Sequence, residues 1–206
     1  LESFRTMRAT KVKCQDSSLV ILQVGSICDR KNQRLVVDAL VRLKSRGLDQ
    51  AVEVWFAGGV FDEMYATCLR NEIEVNELNV TFNFLGWRTD IHQLMVDADI
   101  LVMPSKDEGV PNTVQEAMAI GLPVVVSDVG GMPEVVRDGD TGWVLGNDDA
   151  AAWAARIQWC FDHRYECEEV GQRGCEYAIQ RFGVRSWGES YAQVIEAITG
   201  AVSEAS

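Results

Sequence analysis

Six short apolar runs recur along the chain, at SLVILQV (18–24), AVEVWFA (51–57), VTFNF (80–84), DILVMP (99–104), LPVVVS (122–127) and GWVL (142–145). Amphipathic segments lie between them: NQRLVVDALVRLKSRG, DEMYATCLRNEIEVNEL, DIHQLMVDA, TVQEAMAIG and MPEVVRDG. The short runs are apolar at successive positions rather than at every second one. Such strands must be covered on both faces, which an alternating strand–helix chain achieves with a parallel sheet between two helical layers. The expected fold is therefore α/β: a doubly wound, mostly parallel, six-stranded, Rossmann-like sheet with C-terminal helices.

From Asp148 onward the pattern is helical without further strands, through AAAWAARIQWCFD, ECEEVGQRGCEYAIQRF and SWGESYAQVIEAI. The first 17 residues are poorly patterned; they carry Arg5, Arg8, Lys11 and Lys13 and read as the remnant of an interdomain linker. This divides the chain into a linker at 1–17, a Rossmann-like α/β domain at 18–200 and a tail at 201–206. The opening LESFRTMRAT has neither an initiator Met nor an apolar signal core, and reads as a cut from something longer. With 206 residues, 47% of them hydrophobic, the chain can bury a sizeable core.

A formal net charge of −12 argues against a nucleic-acid surface, so any phosphate site must be local, built from a few cations and helix ends. No apolar run approaches the ~18 residues of a membrane span. The six cysteines (Cys14, Cys28, Cys68, Cys160, Cys167 and Cys175) include no C-x-x-C pair, and read as reduced, mostly buried thiols of a cytoplasmic protein. Cys160, His163 and Cys167 have helical spacing, which is read as a core-facing stripe rather than a metal site.

Ligands of doubly wound sheets bind outside the carboxyl ends of the strands. Residues just after a strand are therefore candidates, and four loops qualify: GSICDRK, GGVFD, LGWRTD and SKDEGVPNT. In the first, Gly25 permits a tight turn or a close approach, while Arg30 and Lys31 stand at the mouth of the next helix. Cations at a helix N-terminus oppose its macrodipole, so an anionic ligand explains them better than helix stability does. No G-x-G-x-x-G follows the first strand, and no Walker lysine motif is present. Asp97 and Asp99 form a D-x-D pattern but precede their strand, on the wrong edge for a ligand. DGDTG (138–142) lacks the third acidic residue of a calcium loop and reads as a turn.

The fourth loop is the most informative. Glu108 sits in the strand-to-helix connection and Glu116 about one turn inside the helix that follows, with Asn112 or Thr113 as its N-cap and Gly121 as its stop. Backbone amides from Val110 through Asn112 and Thr113 to Val114 offer an anion site. Carboxylates on either side of an anion suit hydroxyl donors, because one carboxylate accepts both hydrogens of a vicinal diol. A sugar, a diphosphate and a second sugar in a row would satisfy that layout.

The segment FLGWRTDIHQLMVDADILVMPSKDEGVPNTVQEAMAIGLPVVVSDVGGMPEVVRDGDTGWVL resembles the donor-binding half of glycosyltransferase family 4, retaining enzymes of the GT-B fold. VGSICDRKNQRLVVDAL and QRFGVRSWGESYAQVIEAI are similar to that family's phosphate loop and closing helices, so the likeness spans about residues 18–200. It implies a nucleotide-sugar donor, with Glu108 at the hexose and Gly109, Val110 and the next amides at hexose hydroxyls and β-phosphate. Glu116 would take the ribose, Lys31 the diphosphate, and the loop of Gly86, Trp87 and Arg88 the base. Two departures stand out: Ser26 where the family often has Arg, its cation either absent or replaced by Arg30, and Pro111 where it has a second glycine. Pro111 removes one amide donor near the hexose.

The resemblance further implies a metal-independent hexosyltransferase of polysaccharide or glycoconjugate biosynthesis, with Glu108 and Lys31 carrying the chemistry and no cofactor. Its acceptor-binding N-terminal half is absent from this chain, which alone would be incomplete and inactive. The implied location is cytoplasmic, with no direct membrane contact from this domain and any contact at the inner membrane face made through the missing half. Two rivals stand beside this reading: a non-catalytic nucleotide-sugar-binding module or subunit, and an α/β domain using another nucleotide.

Overall fold

The computed structural model describes residues 1–10, 18–47, 51–109 and 111–183. Its six strands are β1 (Leu19–Val24), β2 (Val52–Ala57), β3 (Val80–Gly86), β4 (Ile100–Met103), β5 (Val124–Ser127) and β6 (Trp143–Leu145). All neighbours pair in parallel, in the order β3-β2-β1-β4-β5-β6. The helices are α1 (Glu2–Thr10), α2 (Gln33–Ser45), α3 (Glu63–Val75), α4 (Ile91–Asp97), α5 (Asn112–Ile120), α6 (Met132–Val135), α7 (Ala150–Asp162) and α8 (Arg164–Phe182). The expected architecture is thus present, and the sheet is parallel throughout.

Two cores cover its two faces. On one, Val36, Leu40 and Leu43 of α2 pack with Leu69 of α3 and the fully buried Trp153 of α7 against Ile21, Val54 and Phe56. On the other, Met95 of α4, Val114 and Met118 of α5 and Met132 of α6 pack against Leu22, Leu101 and Val124. β4 and β5 are buried at every position, as strands sealed from both sides must be. Helix starts are fixed locally. The Asp62 carboxylate accepts from the Tyr65 amide at α3, and Asp149 accepts from Ala151 and Ala152 at α7.

The stretch read as an unpatterned linker begins as a helix. α1 packs on α4 and α5, and its Arg8 is 3% exposed. The remainder of that stretch (11–17), Val110 with its expected amide, Cys14, the tail helix SWGESYAQVIEAI and the 201–206 tail lie outside the described residues. Five described cysteines are free thiols; Cys160, Cys167 and Cys175 are buried as expected, but Cys68 is exposed and Cys28 half-buried. Among the described residues no helix is long and apolar enough to cross a membrane.

The chain runs from β1 outward to β2 and β3, then returns to place β4 on the other side of β1. Connections therefore diverge at the carboxyl ends of β1 and β4 and leave a crevice there. The loops that leave those two strands are the ones that carry Lys31 and Glu108.

Candidate functional site

The first loop is locked by close backbone packing. A Cβ on Gly58 would lie 2.1 Å from the Gly25 carbonyl oxygen, and one on Gly25 would lie 3.0 Å from Cε of Lys31. So Gly25 admits the Gly58 backbone and the lysine stem. The turn Asp29–Lys31 is a single 3-10 turn. Gln23 of β1 donates to the Lys31 carbonyl (2.7 Å) and Gln33 to that of Ser26 (2.9 Å), which fixes the direction of the lysine.

The fourth loop is held from beneath and from behind. Ser127 of β5 donates through Oγ to the carbonyl of Ser105 (2.6 Å). Gly130 has φ +52°, and a Cβ there would stand 1.7 Å from the Glu108 carbonyl oxygen; the Gly131 amide donates to the Gly109 carbonyl (3.0 Å). The two loops are also stitched to each other. The Lys106 amide donates to the Arg30 carbonyl (2.8 Å), the Lys106 ammonium pairs with Asp29, and Arg30 Nη1 donates to the Asp107 carbonyl (3.1 Å). Asn32, in the left-handed conformation, donates to the carbonyls of Pro104 and Asn147 and ties in the end of β6.

At the junction one carboxylate oxygen, Oε1 of Glu108, receives three donors: the Lys31 ammonium, Oγ of Ser105 at 2.9 Å and Nη1 of Arg30 at 3.3 Å. The lysine and glutamate side chains are 14% and 11% exposed, whereas that of Arg30 is half in solvent. The site therefore joins a sheltered ion pair to an exposed cation, next to the helix start of α5. Gly130→Ala is expected to destabilise the domain by roughly 1–3 kcal/mol, since a left-handed φ and a backbone clash coincide there. Urea unfolding of the variant checks this, and an unchanged midpoint would show that the loop yields freely.

The other sequence candidates lie at the start of α5 or line neighbouring clefts. Pro111, not Asn112 or Thr113, is the N-cap of α5, because its extended backbone ends the loop and Asn112 already turns into the helix. The Val114 amide donates to the Pro111 carbonyl (3.1 Å) and its side chain is buried, so among the described residues the expected amide group narrows to Asn112 and Thr113. Glu116 faces outward, 3.4 Å from Nε2 of His92, whose ring lies 5.4 Å from Phe4. With Asn112 and Arg5 it lines a cleft of about 620 Å³ between α1, α5 and α8, of which Glu108 is not part. Ser26 and Arg30 line a different cavity of about 690 Å³ beside Phe61.

Beyond Gly86, Trp87 is 85% exposed, and Arg88 closes a fork on Asp90. That hydrogen bond holds the Asp90 carboxyl below its usual range and the Arg88 guanidinium above its own. Asp99 accepts from the Val20 amide (2.7 Å) on the opposite edge of the sheet, a structural duty. Cys160 and Cys167 lie in the core and His163 stacks on Trp159 at 4.9 Å. In DGDTG, Asp138 accepts from the Val144 amide and Thr141 from that of Arg137, the bonds of a turn.

Ser105, Ser127, Gly130, Gly131 and His92 were missed in the sequence. Only the GGMPE run gave a signal, through the family resemblance.

An all-parallel sheet with a cation–carboxylate cluster at its switch point defines a Rossmann-like domain, of the kind that neighbouring GT-B glycosyltransferases contain. Residues 7–177 match the family of glycosyl transferases group 1, and the chain belongs to that family. It is 28% identical over 188 residues to a D-inositol 3-phosphate glycosyltransferase of Corynebacterium aurimucosum, covering 89% of this chain and 44% of the relative. It is 31% identical over 145 residues to the amylovoran biosynthesis glycosyltransferase AmsK of Erwinia amylovora, covering 66% and 34%. The crystal structure of Anabaena HepE in complex with UDP-glucose superposes with a TM-score of 0.77 at 26% identity, over 89% of this chain and 50% of that one. The chain spans about half the length of the curated relatives it matches.

Proposed function

We propose that the chain is the C-terminal, donor-binding domain of a metal-independent, retaining glycosyltransferase that moves a hexose from a nucleoside diphosphate to a hydroxyl acceptor. The observation that carries this is the meeting of Lys31, Arg30 and Glu108 at the switch point of the sheet. Two cations there can stabilise a departing diphosphate electrostatically, together with the Asn112 and Thr113 amides. Glu108 is the acceptor for hexose hydroxyls. The complexes of HepE with UDP and with UDP-glucose support a nucleotide-sugar as the ligand class. The acceptor would be held by a separate N-terminal half, and the enzyme would work in the cytoplasm on polysaccharide or glycoconjugate precursors, as relatives named for lipopolysaccharide core and amylovoran biosynthesis suggest.

Calorimetric titration with UDP-, GDP- and ADP-glucose in the presence of EDTA tests the reading. One of the three is expected to bind, unaffected by the chelator. Failure of all three at millimolar concentration, or binding that returns only with magnesium or manganese, would overturn it. In this frame Glu116 accepts from the ribose hydroxyls once it turns from His92. Glu116→Ala is then expected to weaken nucleoside diphosphate binding by about 1.5–3 kcal/mol, the scale of a charged hydrogen bond. Equal affinity of the wild type for ribose and 2′,3′-dideoxyribose nucleotides would remove Glu116 from the site.

A further inference from the structure

The cations assigned to the diphosphate already hold an anion that belongs to the protein. Lys31 and Arg30 both donate to Oε1 of Glu108, and Ser105 adds a third hydrogen bond to the same atom. The Lys31–Glu108 pair is sheltered on both sides, so water screens it little. The loop that carries Glu108 is pinned through Ser127, Gly130 and Gly131. The carboxylate therefore stands close to these cations as part of the fold. A phosphate oxygen that takes Lys31 must break the internal pair, and the released carboxylate must find new donors in a place that solvent barely reaches.

Whether it finds them depends on what the phosphate carries. The hexose of a nucleotide-sugar brings hydroxyl groups that can donate to Glu108. A nucleoside diphosphate without its hexose brings none to Glu108, since its ribose hydroxyls are assigned to Glu116. We infer that Glu108 is a specificity-determining residue that competes with the diphosphate for Lys31, so that sugar-bearing diphosphates are favoured over sugarless ones. This rests on the reading of the site as a nucleotide-sugar pocket. Its consequence is directional: in the donor complex the glutamate is satisfied by the sugar, and after transfer it returns to Lys31 and helps the product leave. The carboxylate thus discriminates substrate from product through one exchange of partners, with no movement of the sheet or helices required.

The test is Glu108→Gln in the full chain, which keeps the side chain's shape and removes its charge. UDP-glucose, UDP and inorganic pyrophosphate are titrated separately into wild type and variant. The variant is expected to bind UDP and pyrophosphate roughly tenfold or more tightly than wild type, the scale of a charge-assisted hydrogen bond lost from the competing pair. UDP-glucose should bind no better than to wild type. A purely structural role for Glu108 would weaken all three ligands. Ser105→Ala gives a second reading with the carboxylate retained: it loosens the hold on Glu108 and should tighten pyrophosphate by a smaller factor. If wild type binds UDP-glucose but neither variant tightens pyrophosphate or UDP, the competition is refuted and the proposed function stands. If neither wild type nor variant binds any of the three, the proposed function fails and the competition with it.

Discussion

Arg8→Ala is expected to destabilise the domain by about 3 kcal/mol, a large fraction of the roughly 5–15 kcal/mol that holds a typical domain folded. The guanidinium is buried and works as a cap shared by two helices. Its Nη1 donates to the carbonyls of Ala98 (2.7 Å), Met95 (3.2 Å) and Val96 (3.3 Å) at the end of α4, and its Nε to the carbonyl of Gly121 (3.1 Å) at the end of α5. Nη2 meets Glu168 at 3.0 Å. Burial pulls the guanidinium below its ordinary pKa, and Glu168 and Asp99 pull it back up. Alanine would leave those helix-end carbonyls short of a donor, at about 1–3 kcal/mol for each one left buried and unpaired. Because Glu168 is 30% exposed and can be rehydrated, the lower end of the 3–5 kcal/mol range for broken buried pairs applies. Urea unfolding should show a lowered midpoint at unchanged slope. Arg5→Ala, which breaks an exposed pair with Glu2, should cost about 1 kcal/mol or less. A loss under about 1 kcal/mol for Arg8→Ala would mean that α1 merely rests on the domain.

Arg8 also shows where the sequence stops being legible. Strands buried on both faces announce themselves, since nothing but apolar side chains can stand there, and all six were located. α1 is held largely by hydrogen bonds from a charged residue to carbonyls far along the chain, and hydrophobic spacing carries no trace of such bonds. The site divides in the same way. Lys31 and Glu108 could be found because they follow strands at the carboxyl edge, and the sheet order then brought them together. Ser127 and Gly130 act on the backbone of another loop, and their meaning exists only once β4 and β5 lie side by side, while Ser105 bonds Glu108 three residues on, a local contact that hydrophobic spacing does not mark. The amide reading was too generous for a related reason: an N-cap at Pro111 lets the Val114 amide close the first turn of α5. Glu116 was placed correctly on its helix, but its partner His92 comes from α4, which is outside any local pattern.

This 206-residue chain is expected to bind a donor and yet transfer no sugar at a useful rate by itself. The described residues place the cations, the carboxylate and the helix start at one edge of one sheet. These groups can bind a diphosphate and steady its charge as it departs. Transfer also requires a hydroxyl acceptor held against the anomeric carbon, and orientation and proximity account for roughly 7–11 kcal/mol of a bimolecular barrier. The matched relatives are about twice as long as the aligned stretch, room enough for a second domain to hold that acceptor. Slow hydrolysis of the donor, with water as an unpositioned acceptor, is the most that the chain should show. Fusion to the N-terminal half of a relative at the equivalent junction should raise transfer by orders of magnitude, and Glu108→Ala in the fusion should abolish it while the unfolding midpoint stays nearly unchanged. Sugar transfer to a hydroxyl acceptor by the purified chain, with turnover near ~1 per second or above, would overturn this division of labour, because that rate belongs to complete enzymes.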